Sequence, residues 1–409
     1  MHSGTNLPQV GTYNQSVVLE AIRLAEGISR VEIAHKTGLT AQSVSNIVTR
    51  LIEQQLVLEI GRDVSSGGKP RVKLQVNPGA CYAVGVQLDR DEISLVLVDL
   101  NSQVLQQASL PTELKRGPWQ IIDRLAEAIL ALVSAAQVPT EKVLGIGIAA
   151  PGPLDHLRGI IYDPPNFVGW TQVPLKALIE QKTGYPVVVD NDATAAAIGE
   201  RWAGNAQAVR NFAFVYVGMH TGIGAGLFIE GRVYRGSTTN AGELGHVSLN
   251  IDGPLCSCGN SSCLEVLCNT GRLVSQVKQG LERGELSSLH GTPELTYTAI
   301  QQAAMAGDDL ARRCVTQNAH LVGRAVVSLV NLLDVEMIVL GGKALRDVGP
   351  LYEQEVQQVL NDMIVARTWR RVKVTLSQVG EDAAAVGAAA LILYECYTPQ
   401  LLGLSATVN

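Results

Sequence analysis

The residues best suited to chemistry in this chain lie in the stretch 243–265, which holds three of the seven cysteines. Cys256, Cys258 and Cys263 follow C-x-C-x4-C spacing, and His246 precedes the first of them by ten residues. Thiolate and imidazole are preferred ligands of tetrahedral Zn²⁺, and one histidine with three cysteines completes a closed structural site. We therefore predict that these four residues hold one structural zinc ion per chain.

Two other interpretations of these cysteines stay open, namely a disulfide and a set of small buried residues. Disulfide frameworks are typical of short secreted chains, whereas this chain has 409 residues and starts without a basic, apolar secretory pattern. Cys256 and Cys258 are also too close in sequence to pair comfortably. The other four cysteines lie in apolar contexts, and of these only Cys268 could replace a metal ligand.

Polar side chains suited to the hydroxyls of a small molecule lie beside these cysteines and in one other place. A bound metal would fix Glu243, His246 and Glu265 in position. Asn191 and Asp192 follow a predicted buried strand and precede a predicted helix, which is where ligand clefts form in α/β sheets. They offer a donor and several acceptors for vicinal hydroxyls, although Asp192 could instead cap the helix.

The elements that must position these residues alternate between apolar strands and helices, which predicts an α/β fold. Predicted strands cover residues 83–88, 93–99, 143–149, 187–189, 212–217, 224–229, 337–340 and 372–376. Predicted helices cover residues 119–136, 193–202, 298–306, 310–333 and 349–363. The Gly-rich turns 218–226 and 341–342 would let backbone approach a ligand closely. Asn166 lies in a loop that could add an amide contact.

Composition and charge indicate a folded protein with two unlike parts. Hydrophobic residues make up 46% of the chain and charged residues 17%, as in ordinary folded domains. The chain has a net charge of -6, but residues 1–80 carry +2 and the remainder -8. A basic first part on an acidic body fits a DNA-binding module joined to a ligand-binding one. No apolar run is long enough to cross a membrane, so we expect a cytoplasmic location.

The first 80 residues predict a winged helix-turn-helix. Three successive helices are predicted. Helical spacing over residues 14–25 indicates the first, a capping box at Ser29–Glu32 begins the second, and an N-cap at Thr40 begins the third. Two strand-like runs with a basic tip between them follow within residues 56–76, as a wing does. A small helical interaction domain is the alternative. The predicted DNA contacts are Gln42, Ser43, Ser45, Asn46, Thr49, Arg50, Lys69 and Arg71.

Taken together, these motifs resemble the ROK family of repressors, uncharacterised reading frames and sugar kinases. The resemblance covers nearly the whole chain, and the winged helix makes it similar to the branch of xylose, glucose and N-acetylglucosamine regulators. One departure is Ser262, which stands where the family commonly has glycine. The matching motifs are residues 145–152, 190–193, 222–226, 241–246, 256–260 and 263–265.

The resemblance implies a two-lobed actin/hexokinase-like (ribonuclease H-like) body behind the winged helix-turn-helix, with a sugar between its lobes. His246 would then bind metal through one ring nitrogen and a sugar hydroxyl through the other. The implied domains are the head at 1–78, lobe 1 at 79–198 with the C-terminal helix 384–409, and lobe 2 at 199–383. The expected sugar contacts are Asn191, Asp192, Glu243, His246 and Glu265, with Asn166 added from its loop.

The kinases of this family hold nucleotide phosphates with an Asp-x-Gly-Gly-Thr turn, and that turn is altered here. Gln87 replaces its Asp, and Asp89 and Arg90 replace its glycines. Asp91 replaces the Thr, and the resulting carboxylates and bulk would repel and obstruct a triphosphate. We therefore expect no enzyme activity. Asp192, the base in a kinase, would here only bind the hydroxyl.

The sequence thus predicts a sugar-responsive DNA-binding regulator, a repressor of carbohydrate uptake or catabolism genes. A homodimer or homotetramer would place two heads on a palindromic operator. A sugar or sugar phosphate that closes the cleft would move the heads about a joint near residues 77–79, provided that it binds the two conformations unequally. The alternatives are a regulator controlled by a protein partner and a sugar kinase.

Overall fold

The amino-terminal part of the chain, called the head below, folds as a winged helix in the computed structural model. The structure describes residues 7–25, 27–62, 71–165, 167–219 and 222–399. Three antiparallel strands form the sheet of the head in the order β1-β3-β2. Its elements are α1 (Leu7–Arg23), β1 (Ile28–Ser29), α2 (Arg30–Thr37), α3 (Ala41–Glu53), β2 (Val57–Arg62) and β3 (Val72–Val76).

Local sequence sets the ends of the two helices of the helix-turn-helix. The Ser29 hydroxyl accepts from the backbone N–H of Glu32, and the Glu32 carboxylate accepts from the Ser29 N–H, which completes the predicted capping box. Gly38 ends α2 with a φ of 70°, a left-handed conformation that glycine adopts easily. Thr40 caps α3 as predicted. The helix buries Val44, Ile47, Val48 and Leu51.

The body consists of two lobes whose five-stranded sheets have the same strand order. In lobe 1 the order is β10-β7-β4-β5-β6, where β4, β7 and β10 are parallel and β5 and β6 antiparallel to their neighbours. Lobe 1 contains β4 (Tyr82–Leu88), β5 (Glu92–Asp99), β6 (Val104–Pro111), α4 (Gly117–Ala135), β7 (Val143–Ala150), β8 (Leu154–Asp155), β9 (Ile160–Ile161), α5 (Leu175–Thr183), β10 (Val187–Asn191) and α6 (Asp192–Ala203).

Lobe 2 repeats this plan with the sheet order β13-β12-β11-β14-β15. The chain then returns to lobe 1 as its last described helix. The elements are β11 (Phe212–Val217), β12 (Ile223–Ile229), β13 (Arg232–Val233), α7 (Leu264–Cys268), α8 (Thr270–Glu282), α9 (Tyr297–Met305), α10 (Asp309–Leu333), β14 (Met337–Gly341), α11 (Gly349–Met363), β15 (Lys373–Leu376) and α12 (Ala383–Tyr397).

Two helices, α6 and α12, form the layer between the two sheets: α12 packs on the lobe 1 sheet, α6 on the lobe 2 sheet. Glycines make this close packing possible. A Cβ at Gly147 would lie 1.7 Å from the Ala388 carbonyl oxygen, and one at Gly226 would lie 2.1 Å from the Ala193 carbonyl oxygen. These two glycines of the predicted motifs therefore serve helix–sheet packing, not contact with a ligand.

The strands and helices predicted for the body are present, most with ends shifted by a few residues. The C-terminal helix, predicted over residues 384–409, ends at Tyr397, and residues 400–409 lie outside the described residues. The predictions missed β6 because most of its residues are exposed, so that it lacks the apolar pattern of the inner strands. They also missed α5, α7 and α8. In the head, α1 begins seven residues earlier than predicted. Within the described ranges, no helix combines the length and apolar character needed to cross a membrane.

Candidate functional site

The four predicted zinc ligands lie together in the loop that leads into α7. The donor atoms of His246, Cys256, Cys258 and Cys263 are all within 4.8 Å of one another. His246 Nδ1 is 3.6 Å from Cys256 Sγ, and the Sγ atoms of Cys258 and Cys263 are 3.6 Å apart. Zn–S bonds of ~2.3 Å and Zn–N bonds of ~2.0 Å place tetrahedral ligand atoms about 3.5–3.8 Å apart. This donor set therefore fits a tetrahedral zinc ion.

One of these thiols is buried, and burial opposes its ionisation. It raises the pKa of Cys263 to about 12, with the neighbouring cysteines as further causes. A cation beside it would stabilise the thiolate that metal binding requires. Cys268, the possible substitute ligand, is buried outside the cluster, and its thiol donates to the Leu264 carbonyl oxygen at 3.0 Å.

The segment 246–263, which holds the four predicted ligands and is called the zinc loop below, is shaped by short backbone hydrogen bonds, and one residue in it is strained. The Cys256 N–H donates to the Asn260 carbonyl oxygen at 2.7 Å, and Gly259 adopts a φ of 92°. Ser262 has a φ of 53°, a conformation that favours glycine. Its side chain is fully buried, and its hydroxyl lacks a hydrogen-bond partner. The sequence departure at Ser262 therefore leaves the ligands together at the cost of local strain.

The expected sugar contacts converge where the N-terminus of α6 meets the zinc loop. One cavity of about 70 Å³ is lined by Asn191, Asp192, Glu243, His246 and Glu265, with Gly152 and Gly224 among the other lining residues. Lobe 1 supplies Asn191 and Asp192 from the end of β10 and the start of α6, and lobe 2 supplies the other three. We call this cavity the sugar compartment. Asn166 and Lys69 lie outside the described residues.

Asn191, not Asp192, is the N-cap of α6. The Asn191 Oδ1 accepts from the N–H groups of Ala193 and Thr194, so its amide nitrogen is the end directed to other partners. Asp192 accepts from the Ala193 N–H at 2.8 Å. Burial, together with the charges of Asp89 and Glu243, raises the pKa of Asp192 to about 7. This carboxyl group can therefore either donate or accept a hydrogen bond near neutral pH.

The lobe 2 carboxylates of the sugar compartment are set by close backbone packing. A Cβ at Gly222 would lie 2.6 Å from Glu265 Oε2, and one at Gly245 would lie 2.4 Å from the Ile223 carbonyl oxygen. Burial raises the pKa of both Glu243 and Glu265, while His246 acts in the opposite direction. His246 Nε2 lies 4.0 Å from Glu265 Oε2, so one ring joins the cysteine cluster to the compartment.

The sequence did not identify the residues that support this wall of the site. Asp190 is fully buried, and Arg235 of lobe 2 donates to its Oδ2 from Nε at 2.9 Å and from Nη2 at 2.7 Å. The Arg235 carbonyl oxygen also accepts from the Ala241 N–H, at the start of the segment that carries Glu243. The Asp190 carboxylate inside the matched motif was the only signal, and no local pattern pointed to Arg235.

The altered phosphate turn lies between β4 and β5. Gln87 is buried, and its amide nitrogen donates to the Tyr216 hydroxyl at 2.7 Å. Lys343 of lobe 2 pairs with Glu92 of lobe 1 at 2.7 Å and also bonds Ser94. Lys343 follows the Gly341-Gly342 turn, so an ion pair between the lobes borders this region. Arg90 lines the sugar compartment.

The predicted DNA contacts on α3 share one face of the helix. Gln42, Asn46, Thr49 and Arg50 are exposed, whereas Ser43 and Ser45 are half-buried. Within this face Gln42 donates to Asn46 Oδ1 at 3.0 Å, and the Ser43 hydroxyl bonds Thr40. Arg71 is exposed at the start of β3. The amide, hydroxyl and guanidinium groups of this face are of the kinds that contact base edges and phosphates.

The far end of α6 contacts the head. Arg201 Nη2 lies 2.8 Å from Glu20 Oε1 of α1. The Arg23 guanidinium stands 4.2 Å from the centre of the Trp202 ring and also donates to the Trp202 carbonyl oxygen. One helix therefore has Asn191 and Asp192 of the sugar compartment at its start and two contacts with the head at its end.

A winged helix joined to a two-lobed α/β body defines a class of DNA-binding regulators, and the comparisons with known proteins agree. The model of the ROK family matches residues 83–395, and that of the MarR family matches residues 12–63 of the head. The chain belongs to the ROK family.

Relatives with and without the head match this chain. It is 31% identical over 396 residues to the xylose repressor of Caldicellulosiruptor bescii, covering 96% of this chain and 98% of that protein. A solved ROK family transcriptional regulator, a homologue of the Escherichia coli MLC protein, is 28% identical with a TM-score of 0.80, over 96% and 98% of the chains. A ROK glucokinase from Streptomyces griseus, solved with glucose and AMPPNP, is 30% identical with a TM-score of 0.65 and covers 76% of this chain and 98% of its own.

Proposed function

We propose that this protein is a sugar-responsive DNA-binding repressor of genes for carbohydrate uptake or catabolism. The sugar binds between the lobes at Asn191, Asp192, Glu243, His246 and Glu265. One structural zinc ion per chain braces the last three of these contacts. The relatives named as a xylose repressor and as a transcriptional regulator, which match nearly the whole chain, support this function.

The observation that carries the proposal is the course of α6. The helix starts at the sugar compartment and ends at Arg201 and Trp202, which contact Glu20 and Arg23 of the head. From Asn191 to Trp202 it spans about 16 Å as one rigid element. A sugar that changes the position of α6 relative to lobe 2 therefore also moves the helix end that contacts the head. The size of the response is set by the difference in sugar affinity between the two arrangements.

A dimer or tetramer would present two such heads to the two halves of a palindromic operator. Recognition helices of dimeric regulators enter successive major grooves, about 34 Å apart for one helical turn. The exposed face of α3 supplies amides and a guanidinium for base edges and phosphates. Whether the sugar releases the DNA or strengthens DNA binding then depends on how the sugar changes the distance between the heads.

Regulation is favoured over phosphoryl transfer by the turn between β4 and β5. A kinase needs room and positive charge for the phosphates of its nucleotide. Here Gln87 is bonded to Tyr216, and Lys343 pairs with Glu92. Asp192 would accept the proton of a sugar hydroxyl in a kinase, and here it binds the hydroxyl only. An assay of ATP consumption with each sugar that binds should show no turnover, and turnover would contradict the proposal.

Calorimetric titration of the full-length protein with neutral and phosphorylated sugars, without DNA, tests the effector. Glu243→Gln keeps the shape of the side chain and removes its charge. We expect this variant to weaken sugar binding at least about tenfold, because it loses charged hydrogen bonds. Glu127→Gln, on the exposed side of α4, is the matched control. If no sugar binds the native protein, a sugar is not the effector.

The DNA interface is tested on sequences selected by the protein from a random library. Arg50→Ala should weaken binding to all of these sequences. It should also make the DNA affinity less sensitive to salt concentration, by the amount expected for about one lost phosphate contact. Asn46→Ala should instead change the preferred bases. Equal affinity of both variants and the native protein for the selected DNA would rule out α3 as the recognition helix.

A further inference from the structure

A second cavity of about 500 Å³ continues from the sugar compartment into lobe 2. The two cavities share the lining residues Arg90, Gly222, Ile223 and Glu265. The further lining residues come largely from α8, α9, α10 and α11, and include Gly271, Val274, Tyr297 and Tyr352. We call this cavity the second compartment. A monosaccharide in the sugar compartment would leave it empty, although its volume is that of an ordinary ligand site.

The chemistry of the second compartment suits an uncharged, partly apolar occupant. Among its described lining residues, the charged side chains are Arg90 and Glu265, and both lie at the junction with the sugar compartment. The two phenols of the lining are satisfied, since Tyr297 donates to the Ala344 carbonyl oxygen and Tyr352 to the Asn318 amide oxygen. Away from the junction, the second compartment therefore offers neutral surface without a charge that needs a counter-ion.

Charge also argues against an anionic effector. The sugar compartment carries the carboxyl groups of Asp192, Glu243 and Glu265, against the one guanidinium of Arg90 among its described lining residues. A phosphate at the junction would meet these carboxylates at short range. A nucleotide would in addition need the phosphate turn, where Glu92 and Lys343 are paired with each other.

We propose that the effector is an uncharged glycoside of two units, whose first ring occupies the sugar compartment and whose second unit fills the second compartment. This inference rests on the proposed function and names the ligand class for it. A sugar ring presents hydroxyl edges and apolar C–H faces. The second compartment offers both kinds of surface, since its lining includes the polar residues Asn269 and Thr270 and the apolar residues Met219 and Val274. Arg90 at the junction donates hydrogen bonds to oxygens near the glycosidic linkage.

Gly271 provides a way to close the second compartment without disturbing the fold. It is the second residue of α8, and a Cβ there would meet only the Asn269 side-chain oxygen, at 3.5 Å. Leucine is also a better helix former than glycine, so Gly271→Leu should fold and place its side chain in the cavity. Gly271→Ala adds a single methyl group and completes a series of increasing volume. A second blocking variant, Val274→Phe, enters from the next turn of the same helix.

The test is calorimetry on the full-length protein with gluco-, galacto-, manno- and xylo-configured monosaccharides, their 1→4- and 1→6-linked disaccharides, and the 6-phosphates of the hexoses. We expect at least one disaccharide to bind about tenfold or more tighter than its monosaccharide. Gly271→Leu and Val274→Phe should remove this advantage and leave the monosaccharide affinity in place, with Gly271→Ala intermediate.

The outcomes separate this inference from the proposed function. Monosaccharide binding with no tighter disaccharide overturns the inference and leaves the sugar effector standing. The same holds if the blocking variants weaken both ligands equally, or if a sugar phosphate binds most tightly. Binding of no sugar at all to the native protein overturns both.

Discussion

Nε2 of His246 lies 4.0 Å from Oε2 of Glu265, while Nδ1 of the same ring lies 3.6 Å from Sγ of Cys256. One imidazole thus faces a thiol cluster on one side and the sugar compartment on the other. If Nδ1 binds zinc, the proton of the neutral ring is fixed on Nε2, which then donates toward the compartment. A zinc ion bound at Nδ1 would therefore act directly on ligand binding and not only on stability.

Removal of one thiol should remove the metal. Cys258→Ser is expected to lose most of the bound zinc, since three ligands hold the ion far more weakly than four. It should also weaken sugar binding, because His246 and Glu265 lose their brace. Elemental analysis of purified protein and calorimetry measure the two effects. Cys396→Ser, an exposed cysteine near the end of α12, should keep full zinc and full affinity. Full zinc in Cys258→Ser would show that the cluster is not a zinc site.

Weakening the contact between α6 and the head should uncouple DNA binding from sugar binding. Arg23→Met keeps a long side chain but removes the cation over Trp202. We expect unchanged sugar affinity, and a sugar-induced change in DNA affinity that is smaller by about 1 kcal/mol. Fluorescence anisotropy with labelled DNA, with and without sugar, measures this difference. Arg312→Met, on the exposed side of α10, is the control. Coupling that stays intact in Arg23→Met would mean that another route connects the sites.

The buried carboxyl group of Asp192 should make stability depend on pH. Burial raises its pKa from 3.8 to about 7 in the folded chain. Between these values the folded state binds more protons than the unfolded state, so the free energy of unfolding falls as pH rises and is lowest above about pH 7. Asp192→Asn removes this dependence.

Urea unfolding at pH 5 and pH 8 checks the sign. The native protein should lose stability relative to Asp192→Asn between these pH values, by at most about 4 kcal/mol over the whole range from pH 3.8 to 7. Asp362→Asn, at an exposed position of α11, should follow the native protein. A native protein that gains stability relative to Asp192→Asn as pH rises would show that Asp192 is ionised in the fold.

The strain at Ser262 should be removable. Its φ of 53° and its buried, unpaired hydroxyl both disfavour serine there. Ser262→Gly is expected to raise the free energy of unfolding by about 0.5–1 kcal/mol, since the relief of a left-handed conformation exceeds the entropy that glycine loses. Calorimetric melting of the zinc-loaded protein measures the change. Ser262→Ala removes the hydroxyl but keeps the Cβ, so an equal gain in both variants would assign the effect to the hydroxyl alone.

Much of the fold followed from patterns within short segments. The capping box at Ser29 and Glu32 and the N-cap at Thr40 are formed as the sequence predicted, because these bonds join residues three apart in the chain. The inner strands were equally clear from their apolar runs. The exposed strand β6 and the helix α8 were missed, since their mixed residues lack a pattern that excludes a loop.

In the candidate site, too, local features could be predicted from the sequence and long-range contacts could not. The sequence by itself selected the four candidate metal ligands and most of the polar residues of the sugar compartment, since ligand type and spacing are properties of a short segment. Only the tertiary structure decided that Arg235 supports Asp190 and that Lys343 meets Glu92 across the lobes. It also decided that α6 ends beside Arg23, 179 residues from Trp202 in the chain. Such contacts depend on how separate elements pack, and no local spacing encodes that.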